Sequence, residues 1–113
     1  MVKSTLRRDW REARRKLERE GRCRVCGEGP WSILEAAHTI GRQCDVEITG
    51  PGGGVSLYVH PDSIVPLCKT HHMEYDARKL DLLPYLHIHE QARAVEDAGG
   101  IERARLRLSG PNG

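Results

Sequence analysis

Two short pairs of thiol and imidazole side chains constrain the fold of this chain more than any other feature. The first pair is Cys23-x-x-Cys26 and the second is Cys68-x-x-His71, with 41 residues between Cys26 and Cys68. Each pair can clamp one face of a tetrahedral ion, the geometry in which structural zinc is held by four protein ligands. The spacing therefore predicts a structural Zn²⁺ on these four side chains that ties together two distant parts of the sequence.

Two alternatives to this ligand set stay open. Cys44 can take the place of His71 to make a four-thiolate site, although Cys44 has no second ligand at chelating distance in the sequence. The other alternative is that the chain has no metal site. In a site filled by four protein ligands the ion has no open position for a substrate, so we expect it to stabilise the fold rather than to react.

The apolar core is expected to be thin. The 113 residues suit one domain, contain no Phe, and are 30% charged and only 4% aromatic. Domains with few large apolar side chains often need a metal or disulfide staple. The sequence contains no signal peptide and no apolar run long enough to span a bilayer. We therefore expect a soluble cytoplasmic protein without a membrane partner, in which paired thiols bind metal more often than they form disulfides.

The N-terminal quarter of the chain is strongly basic. Residues 1–26 carry ten Lys and Arg side chains against four Asp and Glu, a balance of +6, whereas the whole chain has a formal charge of +2. Such a segment suits a polyanion, with an affinity that falls as salt rises. The alternative is a solvated helix whose charges pair with one another. The residues expected to bind DNA are Arg7, Arg8, Arg11, Arg14 and Arg15.

The pattern of apolar residues and breakers predicts an α+β domain in four parts. Residues 1–22 form a basic helix capped by Ser4 or Thr5 and ended by Gly21, with apolar positions at Leu6, Trp10, Ala13 and Leu17. Residues 23–86 form the zinc-stapled core, residues 87–108 form C-terminal helices that break at Gly99-Gly100, and residues 109–113 form a tail. All four parts belong to one domain.

Within the core, the sequence predicts strands around a glycine-rich segment, followed by a helix. A first strand is expected over 31–40, ending near His38, and short strands over 57–59 and 64–67. Residues 41–56 contain too many Gly and Pro for regular structure and are expected to form a long loop or a loose hairpin. A helix capped by Thr70 is expected to continue past Leu80 and stop before Pro84.

Three further stretches carry a family resemblance. They read Ala36-Ala37-His38-Thr39-Ile40, Pro61-Asp62-Ser63-Ile64-Val65-Pro66-Leu67-Cys68 and His71-His72. With the Cys-x-x-Cys pair they resemble the zinc-stapled HNH endonucleases, and most closely the small HNH proteins of tailed bacteriophages. The resemblance implies a ββα-metal finger in which two strands and a helix hold one catalytic ion. It also implies DNA as the substrate, phage packaging (terminase) proteins as partners, and the host cytoplasm as the location.

The resemblance assigns roles to individual positions. His38 corresponds to the family's general base, His72 to the metal-binding histidine on the helix, and Asp76 to a further ligand one turn later. The catalytic divalent cation would be Mg²⁺, Mn²⁺, Ni²⁺ or Zn²⁺. Ser63 stands at the position of the family's Asn, and Ala37 stands where members often have a metal ligand.

Because Ala37 has no group that can bind a metal, the ligand set of the catalytic ion stays open. Either His38 itself binds the metal, or Asp45, His60 or Asp62 approaches from the loop, or water and substrate phosphate complete the shell. His87 and His89 are expected to be surface or cap residues.

Three functional hypotheses follow. The first is a metal-dependent DNA endonuclease or nickase in which a histidine activates water. The second is a catalytically inactive, zinc-stapled protein that binds DNA or acts as a packaging adaptor. The third is a nuclease that cuts only in the presence of a partner.

Overall fold

The computed structural model describes residues 6–109 as an α+β domain. Within this range there are four α-helices and two small sheets. The strands are β1 (Arg8–Asp9), β2 (Glu35–His38), β3 (Val46–Thr49), β4 (Val55–Tyr58) and β5 (Ile64–Leu67). The helices are α1 (Arg11–Glu20), α2 (Lys69–Asp76), α3 (Ile88–Ala98) and α4 (Ile101–Leu108). None of the helices in residues 6–109 has the length and apolar character needed to cross a bilayer.

Strands β2 and β5 pair antiparallel, and α2 follows β5 directly. Glu35 lies opposite Leu67 and His38 lies opposite Ile64. All four residues of β5 are buried, which is expected for a continuous apolar run in the centre of a small core. Pro66 has no backbone N–H to donate, and a two-stranded sheet, in which every strand is an edge strand, accommodates it.

Residues between β2 and β5 form a hairpin, one of the two structures expected for 41–56. Strands β3 and β4 pair antiparallel, from Val46 opposite Tyr58 to Thr49 opposite Val55. The turn is closed by a hydrogen bond from Gly50 N to Gly54 O of 2.8 Å, and Gly53 has a φ of +84° that favours glycine. The hairpin thus projects from the loop between the two strands of the other sheet.

Helix α1 begins later than the sequence predicted. The prediction of a helix through Leu6 is wrong, because residues 8 and 9 form β1, which pairs parallel with β4. Leu57 N donates to Arg7 O at 2.8 Å, so the backbone of Arg7 takes part in sheet pairing rather than in a helix. The helix ends at Gly21 in the left-handed conformation, as predicted. The proposed caps, Ser4 and Thr5, lie outside the described residues.

The other helices follow the sequence signals to different degrees. The prediction that α2 continues past Leu80 is wrong, because Arg78 adopts a φ of +60° and the helix ends at Asp76 with Ala77 as its cap. Its N-cap is Cys68, not Thr70. The first strand is shorter than predicted, because residues 31–33 form a 3₁₀ turn. Helices α3 and α4 meet at Gly99, which is left-handed, as expected.

A buried cluster of charges joins the helices to the small apolar core. The Nζ of Lys16, on α1, donates to Pro61 O and Ile64 O at 2.7 Å each and pairs with Glu90 on α3. Arg24 pairs with the other oxygen of Glu90 at 2.6 Å. The Lys16 and Glu90 side chains are 3% and 0% exposed. Because a buried charge is tolerated only when it is paired, this cluster fixes how α1, β5 and α3 pack.

Candidate metal centre and arginine groove

The four predicted zinc ligands lie together. Their ligand atoms are all within 4.8 Å of one another, and within residues 6–109 no other group of three or more His, Cys, Asp and Glu side chains meets this condition. A tetrahedral ion with metal–sulfur bonds of about 2.3 Å places its ligand atoms roughly 3.5–3.8 Å apart. The Sγ atoms of Cys26 and Cys68 are 3.9 Å apart, and Cys23 Sγ is 3.8 Å from His71 Nδ1. The residues present therefore fit a structural metal such as zinc.

Two local structures, a tight turn and the start of α2, each position one pair of these ligands. Gly27, with a φ of +76°, closes a turn in which its N–H donates to Cys23 O at 2.9 Å. Because Cys68 is the N-cap of α2, His71 lies on the first turn of that helix and faces back to the thiol. His71 Nδ1 is 3.1 Å from Cys68 Sγ. The chelate geometry is therefore built by a tight turn and by a strand-to-helix junction.

Cys44 is not part of this cluster. Its Sγ donates to the backbone carbonyl of Asp97 on α3 at 3.3 Å. The alternative ligand set with Cys44 in place of His71 is therefore wrong for this fold.

The thiols of the cluster differ in acidity. Burial raises the pKa of Cys23, but backbone N–H donors from Cys26, Cys68 and Val25 outweigh it and lower the pKa to about 7. Burial, together with the neighbouring thiols, raises the pKa of Cys68 to about 11 against the effect of a hydrogen bond from the backbone of His71. Of these two thiols, Cys23 thus gives up its proton more readily, as a metal ligand must.

The candidate general base, His38, is held by a buried carboxylate. His38 Nε2 lies 3.0 Å and 3.2 Å from the two oxygens of Asp45, whose side chain is fully buried. Arg8 Nε donates to Asp45 from the other side at 2.9 Å. Burial raises the pKa of Asp45, but the hydrogen bonds from His38 and Arg8 outweigh it and lower the pKa below its ordinary value. Asp45 is therefore a charged acceptor between a histidine and an arginine.

The predicted DNA-binding arginines line one groove. The groove has a volume of about 740 Å³ and lies between the start of α1 and the turn of the β3–β4 hairpin. All five predicted arginines line it: Arg7, Arg8, Arg11, Arg14 and Arg15. Among residues 6–109, the acidic residues that line it are Asp9 and Glu18. Five of the ten basic side chains of residues 1–26 thus share one concave surface.

Two residues connect this arginine groove to His38. Trp10 lines the groove, and its ring meets the His38 ring edge to face at 5.7 Å between centroids. Arg8 lines the groove and also binds Asp45. A ligand in the groove would therefore lie against the residues that hold the histidine in place.

The second predicted metal-binding pair, His72 and Asp76 on α2, lies beside the start of β2. His72 Nδ1 is 2.7 Å from Glu35 Oε1, and His72 Nε2 is 3.5 Å from Asp76 Oδ2. Side chains alternate across a strand, so Glu35 and His38, three residues apart, leave opposite faces of β2 about 10 Å apart along it. His72 and Asp76 are thus brought together with Glu35, whereas His38 is paired with Asp45. A role for His38 and His72 in one catalytic site stays a prediction.

Ser63 anchors the segment before β5. Its Oγ donates to Asp97 at 2.7 Å and accepts a hydrogen bond from Arg93, and its carbonyl accepts the N–H of Thr39, the neighbour of His38, at 3.0 Å. Ser63 therefore fixes the loop next to the candidate base through the backbone. His60 and Asp62, two other groups considered for the catalytic ion, contact each other, with Asp62 N donating to His60 Nδ1 at 3.0 Å.

Sequence reasoning did not identify the contributions of Glu35, Trp10 and Lys16. Glu35 stands two residues before Ala37 and on the same face of β2, a spacing that could have indicated a substitute carboxylate. Trp10 stands at an apolar position of the predicted helix, and nothing in the sequence indicates its contact with His38. No local pattern predicted Lys16 as a buried cation, because its partners lie 45 to 74 positions away in the sequence.

Comparison of the chain with protein-family models, with curated proteins and with solved structures finds no match.

Proposed function

We propose that this protein is a DNA endonuclease or nickase that uses His38 as a general base on a zinc-stapled ββα-metal scaffold. The observation that carries the proposal is the connection of the arginine groove to His38 through Arg8 and Trp10. A cationic groove attracts a phosphate backbone, and an imidazole is the side chain best suited to take a proton near neutral pH. The order of β2, β5 and α2 around the metal cluster further supports it.

The proposed reaction is hydrolysis of a phosphodiester bond. His38 takes a proton from water as the water oxygen bonds to phosphorus, and the bond from phosphorus to the 3′ oxygen breaks. The 3′ oxygen is then protonated from solvent, which leaves 5′-phosphate and 3′-hydroxyl ends. The arginines hold the phosphates on either side of the scissile bond and neutralise their charge.

The proposed hydrolysis requires a divalent cation for turnover. The imidazole of His72 and the carboxylates of Glu35 and Asp76 are donors of the type that Mg²⁺, Mn²⁺ or Ni²⁺ accepts. When bound, the cation would supply positive charge to the phosphates of DNA near the scissile bond. It would be separate from the structural zinc.

A plasmid assay tests the proposed function. Purified protein with Mg²⁺, Mn²⁺ or Ni²⁺ is expected to nick or linearise supercoiled plasmid, and His38→Ala is expected to abolish cutting. His89→Ala is the matched control, because His89 is 60% exposed on α3 and its variant should cut as the wild type does. Equal zinc content and equal melting of the variants show that the fold is kept. An intact plasmid with every ion, or full activity of His38→Ala, contradicts the proposal.

The second candidate is a zinc-stapled DNA-binding or packaging adaptor without turnover. It is favoured by the state of His72, both of whose ring nitrogens face carboxylates. An adaptor should bind DNA in a salt-sensitive manner that His38→Ala leaves unchanged, and should bind one metal ion per chain. A partner-dependent nuclease would behave in the same way until a terminase protein is added to the plasmid assay, when cutting should appear.

A further inference from the structure

The pair formed by His38 and Asp45 defines which ring nitrogen carries the proton. Both oxygens of Asp45 lie within 3.2 Å of His38 Nε2, and the Asp45 carboxyl also accepts a hydrogen bond from Arg8. An ionised carboxylate only accepts hydrogen bonds, so Nε2 must be the donor. A neutral imidazole has one N–H, which leaves Nδ1 with the lone pair.

We propose that Asp45 is a positioning residue that fixes His38 as the Nε2–H tautomer, so that Nδ1 is the atom that takes the proton from water. This inference rests on the proposed function, because it assigns the base within that reaction. Asp45 is well placed for this task, since its side chain is fully buried and His38 is only 8% exposed. The carboxylate therefore holds the ring without competition from water.

Arg8 sets the orientation of the group at position 45. Its Nε donates to Asp45 Oδ2, and the same side chain lines the arginine groove. An arginine has no acceptor atom, so any group at position 45 must turn an oxygen toward Arg8. In Asp45→Asn the amide oxygen would face Arg8 and the amide NH₂ would face His38. The atom that becomes NH₂ is the nearer of the two to Nε2, at 3.0 Å against 3.2 Å, which favours a ring that accepts at Nε2 and carries its proton on Nδ1.

This exchange of tautomers separates a positioning role from a merely structural one. If Asp45 only paired with Arg8, the loss of its charge would weaken the fold or the binding of DNA. If Asp45 positions the base, Asp45→Asn removes the lone pair from Nδ1, the nitrogen proposed to take the proton, while the fold stays intact. The same logic holds for the Asp of a Ser-His-Asp triad, where the amide variant leaves the wrong tautomer.

Nitrogen NMR of the histidine rings tests the assignment. At a pH at which the ring is neutral, we expect His38 in the wild type to have a protonated Nε2 and an unprotonated Nδ1. In Asp45→Asn the two nitrogens should exchange roles. Cutting by this variant should fall by about 100-fold or more in kcat, with KM for plasmid DNA within a few-fold of the wild-type value.

Zinc content and thermal melting are measured alongside as controls for folding. Asp45→Glu, which keeps the carboxylate, should restore the Nε2–H tautomer and recover part of kcat. The wild-type spectrum needs no variant, so the assignment can be tested even if Asp45→Asn does not fold. An Nδ1–H ring in the wild type overturns the assignment even if the protein cuts DNA, as does an Asp45→Asn variant with wild-type kcat. A wild type that cuts no DNA overturns the proposed function even if the tautomer is the expected one.

Discussion

Adjacent histidines at positions 71 and 72 have different surroundings. His71 Nδ1 lies 3.1 Å from Cys68 Sγ in the metal cluster, whereas His72 contacts Glu35 and Asp76. Consecutive residues on a helix point about 100° apart, so one helical turn can serve two clusters. This arrangement allows the stability of the fold and the proposed chemistry to be tested separately.

Removing one cysteine of the metal cluster is expected to unfold the domain. Structural zinc contributes about 10–16 kcal/mol in zinc-finger peptides, which is comparable to or larger than the roughly 5–15 kcal/mol that stabilises a typical domain. Cys68→Ser should therefore lose zinc and its cooperative melt. Cys44→Ser is the matched control, because Cys44 lies outside the cluster, and it should keep one zinc per chain. The measurements are metal content and circular dichroism, and a Cys68→Ser protein that melts cooperatively without zinc would contradict the ligand assignment.

His72→Ala is expected to spare the fold and abolish cutting. The side chain is only 25% exposed but belongs to neither the zinc ligands nor the apolar core. Zinc content should stay at one per chain and the protein should keep a cooperative melt, because the change removes no zinc ligand and no side chain of the apolar core. Cutting is measured on plasmid under the conditions of the wild type. If His72→Ala cuts normally, the assignment of the catalytic cation to this residue is wrong.

Among the secondary-structure elements, α1, β5 and α3 are joined through the pair formed by Lys16 and Glu90. The Glu90 carboxylate accepts from Lys16 and Arg24 and from the N–H of His87, which makes a capping box at the start of α3. Burial raises the pKa of Glu90, but these hydrogen bonds outweigh it and lower the pKa to about 2. A lowered pKa means that the charged form stabilises the folded state.

Glu90→Gln is expected to destabilise the protein by about 3–5 kcal/mol, because it leaves Lys16 buried without a counter-charge. The pKa of Glu90 is about 2 in the folded state against 4.5 for the ordinary side chain. The stabilisation from this charge is therefore fully present above pH 4.5 and is lost as the pH falls through about 2. The difference in unfolding free energy between the wild type and Glu90→Gln should shrink over that range. Urea unfolding of both proteins at several pH values measures it, and a constant difference would contradict the role of the charge.

Across the molecule as a whole, the basic N-terminal segment and the β3–β4 hairpin together make one cationic groove. The parallel pairing of β1 with β4 brings the arginines beside the turn at Gly50 and Gly54. Phosphates bound by such a surface release counterions, so affinity falls steeply with salt.

Removal of two groove arginines is expected to lower the affinity for DNA and to make that affinity less dependent on salt. Arg7→Ala with Arg14→Ala changes two exposed side chains that line the groove. The slope of log K against log salt should fall by about 0.9 for each phosphate that the variant no longer neutralises. Arg103→Ala with Arg105→Ala removes the same charge from the exposed face of α4 and should leave the slope unchanged. Fluorescence anisotropy with duplex DNA measures both, and equal losses of affinity for the two double variants would contradict the groove as the binding surface.

Local chemistry in the sequence was enough to predict the four clustered metal ligands, the two C-terminal helices and the basic character of the N-terminal segment. Two ligands three residues apart can chelate one ion, whatever the rest of the fold. Gly99 ends a helix because glycine adopts the left-handed conformation without strain. The net charge of a segment follows from its composition alone. The resemblance to HNH endonucleases also supplied His38 and His72 as candidates from short motifs.

The start of α1 and the surroundings of the candidate base could be read only from the folded chain. The start of α1 depends on the pairing of β1 with β4, and the pairing of Asp45 with His38 and Arg8 depends on the path of the loop after β2 and on the same strand pairing. Such interactions are set by strand register and by packing between residues far apart in the chain. No local propensity encodes them, because a shift of one residue in a strand turns each side chain to the other face.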